Sequence, residues 1–100
     1  MDNVLINSHG SAQFKPNTTL AVVVVCQGKF LLVEELEQGK KVYNQPAGHL
    51  EADENLIAGA KRELQEETGL TATPDYLCGI YYYYRSDINL YYLRFCFVVE

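Results

Sequence analysis

One hundred residues allow a single domain with a small core, and 48% hydrophobic with 21% charged residues is the balance of a soluble globular chain. A formal net charge of −5 without any basic cluster excludes a surface for polymeric nucleic acid. No apolar run approaches the roughly 20 residues that cross a bilayer, so no membrane contact is expected.

Residues 1–13 show no period and read as a flexible N-terminal extension in which His9 has no role; residues 14–100 read as the domain. Phe14-Lys15-Pro16 marks an extended entry, because the residue before proline avoids the helical region. From Thr19 to Cys26 the run is apolar and β-branched on both parities, as in a strand buried on both faces. Gln27-Gly28 is a turn signal, and "KFLLVEE" resumes an extended pattern, which predicts a hairpin. "LEQGKK" gives a second turn, and "VYNQP" a short strand ended by Pro46.

A helix follows. Asp53 is the expected N-cap, and Leu56, Ile57, Ala60 and Leu64 form an apolar stripe at helical spacing. Gly69 suits a left-handed C-terminal cap, after which Leu70 is expected to fold back onto Leu64, and Pro74 keeps the helix from resuming. Two long strands come next, Tyr76 to Tyr84 and Leu90 to Val99, joined around Ser86-Asp87. "YYYYR" puts Tyr81 and Tyr83 on one strand face and Tyr82 and Tyr84 on the other. Packing is the ordinary use of strand tyrosines; base stacking or a homodimer surface is the functional alternative. Arg85 and Arg94 have the fork geometry that holds phosphate oxygens, though a structural salt bridge would equally explain Arg94 in its apolar strand. Cys26, Cys78 and Cys96 stand far apart in apolar runs, an odd count that points to reduced, buried thiols of a cytoplasmic protein.

The helix carries the chemistry. With Leu56 set at zero on a 100° wheel, the apolar stripe spans about 0° to 100°. Glu67, Glu63 and Glu66 fall near 20°, 340° and 280° on the same wheel, and Arg62 near 240°, opposite the core. Three carboxylates beside apolar packing repel one another and lose hydration, and Arg62 neutralises one of them at most. Mg²⁺ or Mn²⁺, hard cations that take oxygen ligands, would satisfy all three. Gly59 leaves a bare flank for a loop or ligand. The bland alternative is a solvated acidic face.

Residues 48–70 decide between them. Gly48, Glu54, Arg62, Glu63, Leu64, Glu66, Glu67, Gly69 and Leu70 match every position of G-x5-E-x7-R-E-U-x-E-E-x-G-U, where U is a bulky aliphatic. The segment resembles the signature of the Nudix hydrolases. At average residue usage such a match arises at a given start on the order of once in a billion. The resemblance implies an α/β Nudix fold, a mixed β-sheet packed against the box helix. It implies Mg²⁺-dependent hydrolysis of a phosphoanhydride bond in nucleoside di- or triphosphates, or nucleotide-like diphosphates, by metal-activated water.

By the same resemblance Glu63, Glu66 and Glu67 bind the metal, with a backbone carbonyl of Ala47 or Gly48. Glu54 and Arg62 brace the helix and orient those carboxylates, Glu54 at times reaching the metal through water. Glu63 is the first candidate for the general base and Glu66 the second. Tyr43 stands where the resembling pattern has tryptophan and joins Arg85 and Arg94 as a candidate substrate contact. Asn44 and Gln45 stand where they could orient a ligand or the loop, capping of strand-end carbonyls being their more ordinary use; His49 could approach a phosphate, a plain loop histidine being the ordinary reading. Family domains carry a further strand, a second helix and another carboxylate beyond the box. Ending at Glu100, the chain is expected to be a C-terminally incomplete domain. The rival expectation is a catalytically silent Nudix-fold module that binds a nucleotide or assembles with a partner.

Overall fold

A computed structural model of the chain describes Ile6 and residues 10–100. Most of the expected 1–13 extension, His9 included, lies outside the described residues. The elements run β1 (Asn17–Cys26), β2 (Lys29–Phe30), β3 (Val33–Glu37), β4 (Lys40–Asn44), β5 (Ala47–His49), α1 (Leu56–Thr68), β6 (Tyr76–Arg85) and β7 (Leu90–Val99).

Both predicted turns form. Gln27 and Gly28 have φ of 52° and 73°, and Gln38 and Gly39 have 52° and 78°, the paired positive values whose twist matches a tight hairpin. The first joins β1 to β2; the second joins β3 to β4 in a separate two-stranded ribbon. In the main sheet the order is β2-β1-β7-β6, with the short β5 also paired antiparallel to β1. β1 and β7 run parallel over eight residue pairs from Asn17↔Tyr92 to Val24↔Val99, whereas β6 and β7 are antiparallel. The sheet is therefore mixed, and the fold is α/β as expected.

That parallel register builds two faces. Leu20, Val22 and Val24 lie beside Phe95, Phe97 and Val99, and this face packs with Ala60 and Leu64 of α1 into the core. On the opposite face Thr19 stands beside Arg94, and Ala21 beside Cys96. Burial of β1 on both faces thus follows from its central place.

Four local expectations are corrected. The N-cap is Asn55, not Asp53: its φ is −85° and ψ 171°, and its side-chain oxygen accepts the Ala58 N–H at 2.8 Å. Asp53 instead takes a left-handed turn (φ 66°) that sends Glu54 back under the helix, so the helix starts later. Asn55→Ala is expected to destabilise the chain by about 1 kcal/mol, read by urea denaturation. The buried stripe of α1 is Gly59, Ala60, Glu63 and Leu64, while Ile57 is 49% exposed. The stripe is rotated toward Glu63 because β1 passes under that side.

At the helix end Gly69 is left-handed (φ 78°) and its N–H reaches the Gln65 carbonyl, as expected, but Leu70 remains exposed. Finally, only Cys96 of the three free thiols is buried. Cys26 ends β1 at the hairpin, and Cys78 is the extra residue of a β-bulge, so both reach the surface. Among the described residues no helix is long and apolar enough to cross a membrane.

The strand tyrosines are exposed as well: Tyr81, Tyr82 and Tyr84 pack outside the core. Tyr82 and Tyr84 lie against Tyr91, with ring centroids 6.1 and 4.6 Å away. The predicted alternation holds, since Tyr83 instead stacks on Tyr92 at 5.5 Å.

Candidate functional site

Arg62 organises the site. Its Nε and Nη2 donate to the two oxygens of Glu54 at 2.9 and 2.6 Å, a bidentate pair. Nη1 donates to Glu63 Oε1 at 2.8 Å and Glu66 Oε2 at 3.3 Å, and Nη2 also donates to the His49 carbonyl at 3.0 Å. Glu51 lies 3.4 Å from the same guanidinium. The helical wheel set Arg62 opposite the core with one carboxylate to neutralise at most; in the fold its side chain is only 21% exposed and contacts four. The reason is the loop after β5, which folds over α1 and turns the outward side of the helix into an interior.

Glu54 ties the loop before the helix to Arg62. Its Oε1 also accepts the Glu51 N–H at 2.9 Å. Hydrogen bonding from Arg62, then that N–H, lowers its carboxyl to about 2. A depressed folded-state value stabilises above the unfolded value of 4.5 and is lost as pH falls toward 2. The wild-type melting midpoint should therefore fall across that window. In Glu54→Gln the fall should be shallower, read by thermal melts from pH 5 to about 2.

Glu63 is 8% exposed and backs onto Gly48, where an added Cβ would overlap its carboxylate. Gly48 is thus required for close approach of β5 to the helix. Gly59, expected to bare a flank for a ligand, is instead filled by Leu20 and Glu54. Glu67 has its carboxyl raised, first by burial and then by the negative charges of Glu63 and Glu35; a hydrogen bond from the Ala47 backbone opposes this. Glu66 turns to Arg62, with its side chain 54% exposed.

Glu63, Glu67 and the Ala47–Gly48 backbone therefore gather at one place, and Glu66 adjoins Glu63 on the other side, sharing the Arg62 Nη1 donor with it. Among the described residues no three His, Cys, Asp or Glu side chains converge as a ready ligand set. The donor chemistry nevertheless fits a hard cation: the ligands are oxygens, and burial first, then the neighbouring charge of Glu63, disfavours the bare Glu67 carboxylate that a cation would compensate.

An open cleft of about 730 Å³ adjoins this place. Ala47, Gly48 and His49 form one wall; Tyr83, Arg85, Tyr92 and Arg94 form another; Glu35, Tyr43 and Asn44 of the β3–β4 ribbon contribute the rim. All three candidate substrate contacts line it, although Glu63, Glu66 and Glu67 do not. Arg94 Nε donates to the Thr19 hydroxyl at 3.2 Å, so the partner found for it is a neutral oxygen and not a carboxylate. Arg85 is paired with Asp87 at 2.6 Å, and the Tyr43 hydroxyl donates to Glu34 at 3.0 Å.

His49 belongs to β5, paired with Thr19, not to a loop. Asn44 donates to the Glu35 carboxylate at 3.2 Å, a side-chain partner across the β3–β4 ribbon and not a strand-end carbonyl. Thr19, Glu35 and Tyr92 were not singled out in the sequence. Tyr92 carried a signal, since it shares strand parity with Arg94; Thr19 and Glu35 enter only through pairing across the fold.

The model of the NUDIX domain family matches residues 15–98. Phosphatase NudJ of Escherichia coli is 51% identical over 87 residues, which are 87% of this chain and 56% of that protein. Among solved structures, a NUDIX hydrolase from Nitrosomonas europaea superposes with a TM-score of 0.79 at 46% identity, covering 84% of this chain and 57% of that one. The NUDIX domain of Shewanella oneidensis NrtR, solved with ADP ribose, superposes at 0.68 with 20% identity, over 87% of this chain and 61% of that one; this likeness is one of fold. The chain thus spans a little over half the length of the curated relatives it matches.

Proposed function

The chain belongs to the NUDIX domain family, and on that premise we propose that it serves divalent-metal-dependent hydrolysis of a phosphoanhydride bond in nucleoside di- or triphosphates or nucleotide-like diphosphates. The observation that carries this reading is the crowding of Glu63 and Glu67 against the Ala47–Gly48 backbone, at the wall of a cleft that also holds Arg94.

Glu63, Glu67 and a carbonyl of Ala47 or Gly48 would hold the cation, and Glu66 would join by turning away from Arg62, which its exposure permits. A bound Mg²⁺ or Mn²⁺ supplies neutralisation of the phosphate oxygens and a lowered pKa for attacking water. Arg62 holds Glu63 by Oε1; in the role of general base the other oxygen of that carboxylate would take the proton of the water, the cation then resting on Glu67, Glu66 and the backbone carbonyl. Glu54 keeps Arg62 in place. Arg94, bonded to no carboxylate, offers its guanidinium to a phosphate, and the stacked Tyr83–Tyr92 pair offers an aromatic face to a base.

The test is phosphate release from nucleoside diphosphates and triphosphates with Mg²⁺, beside the same reaction in chelator. Release that stops with the chelator supports the reading. Nucleotide binding without release under any divalent ion would replace it with a silent binding module.

A further inference from the structure

We propose that Cys78 and Cys96 form a redox-active dithiol, oxidised by a hydroperoxide to an intrachain disulfide between β6 and β7. The bulge makes this possible. Leu77 pairs with Phe97 and Gly79 with Cys96, so Cys78 is the unpaired residue beside Cys96. In a bulge two residues oppose one across the ladder, so Cys78 shares with Gly79 the place opposite Cys96, one strand spacing away. Regular pleating would point residues 78 and 79 to opposite faces; instead Cys78 and Cys96 line one recess on the sheet face away from α1. The Cys78 thiol donates to the Cys96 carbonyl at 3.2 Å.

The two sulfurs have different roles. Cys78 is exposed, so an oxidant meets it first. Cys96 is 6% exposed, and burial, followed by the neighbouring Cys78 thiol, pushes its own thiol up to about 11. In the first step the Cys78 sulfur attacks the peroxide, the O–O bond breaks, and sulfenic acid and an alcohol (or water) result. In the second, the Cys96 sulfur attacks the sulfenic sulfur; the S–S bond forms, and the departing hydroxyl leaves as water with the Cys96 proton. Sulfur loses two electrons per disulfide, and the peroxide accepts them. Disulfides of this transient kind are those a reducing compartment tolerates.

The experiment treats the native chain with limiting hydrogen peroxide, blocks remaining thiols by alkylation after unfolding, and maps unreduced tryptic peptides. Cleavage after Lys29, Arg62, Arg85 and Arg94 puts the three cysteines on separate peptides. The expected result is a linked pair carrying Cys78 and Cys96, lighter by two hydrogens, released by dithiothreitol and unchanged in Cys26→Ser. Cys78→Ser should abolish it, though the native map decides alone if that variant does not fold. Cys78 carried on to sulfinic acid, bridged to Cys26 or to a second chain, or left unmodified, with Cys96 still alkylated, would overturn the proposal. No substrate enters the measurement, so its outcome is independent of phosphate release.

Discussion

Glu67→Gln is expected to lower Mg²⁺-dependent phosphate release about a thousandfold while leaving the chain folded. Glutamine keeps the size of the side chain and an oxygen that can accept the Ala47 N–H, so only the charge is removed. That charge now sits in a place that disfavours it, part-buried and repelled by Glu63 and Glu35. Its removal should therefore leave the metal-free melting midpoint unchanged or slightly higher. A cation site that loses one of its anionic ligands forfeits several kcal/mol of transition-state stabilisation, and each 1.36 kcal/mol is about tenfold in rate. Mn²⁺ should raise the melting midpoint of the wild type through linkage and fail to raise that of the variant. If the variant keeps both its turnover and its response to Mn²⁺, Glu67 is no ligand.

Arg62→Ala should give the largest loss of stability among the site variants, about 3 kcal/mol. Removing one partner of a buried ion pair costs about 3–5 kcal/mol because the other charge is left behind. Here the remaining charge is Glu63, 8% exposed, with Glu54 beside it; partial exposure of Arg62 favours the lower end of that range. For a domain of this size each kcal/mol moves the midpoint by roughly 4–8 °C, so the shift should exceed about 10 °C. Arg62→Lys should recover little, because an ammonium cannot reproduce the two parallel bonds to Glu54. Pairing Arg62→Ala with Glu54→Gln should recover part, since one stranded charge is removed. A loss below about 1 kcal/mol in the single variant would mean that water takes over the role of the guanidinium.

Much of this site lies in one continuous stretch, which is why the sequence carried so much of it. The signature from Gly48 to Leu70, the acids on one side of the helix, the Gly69 cap and both tight turns depend on neighbours a few residues away. Even there the N-cap expected at Asp53 fell to Asn55, because residue type does not separate two side chains that both cap well. The return of Glu54 to Arg62 settled it. The same loop overturned the limit of one carboxylate for Arg62, because a helical wheel records direction but not what later folds across it.

By itself, then, the sequence determined the family signature, the box helix, the long strands and the residues that gather negative charge, since each depends on local spacing and local backbone preference. Only the tertiary structure decided that Arg94 rests on Thr19 across 75 residues of chain, that β5 closes on Glu63 through a bare Gly48, and that Cys78 meets Cys96 at a bulge. The physical reason is the parallel pairing of β1 with β7, a long-range register set by burying Leu20, Val22, Phe95 and Phe97 together. Side chains on the opposite face of those strands are brought together as a consequence of that packing, and no spacing within either strand encodes their meeting.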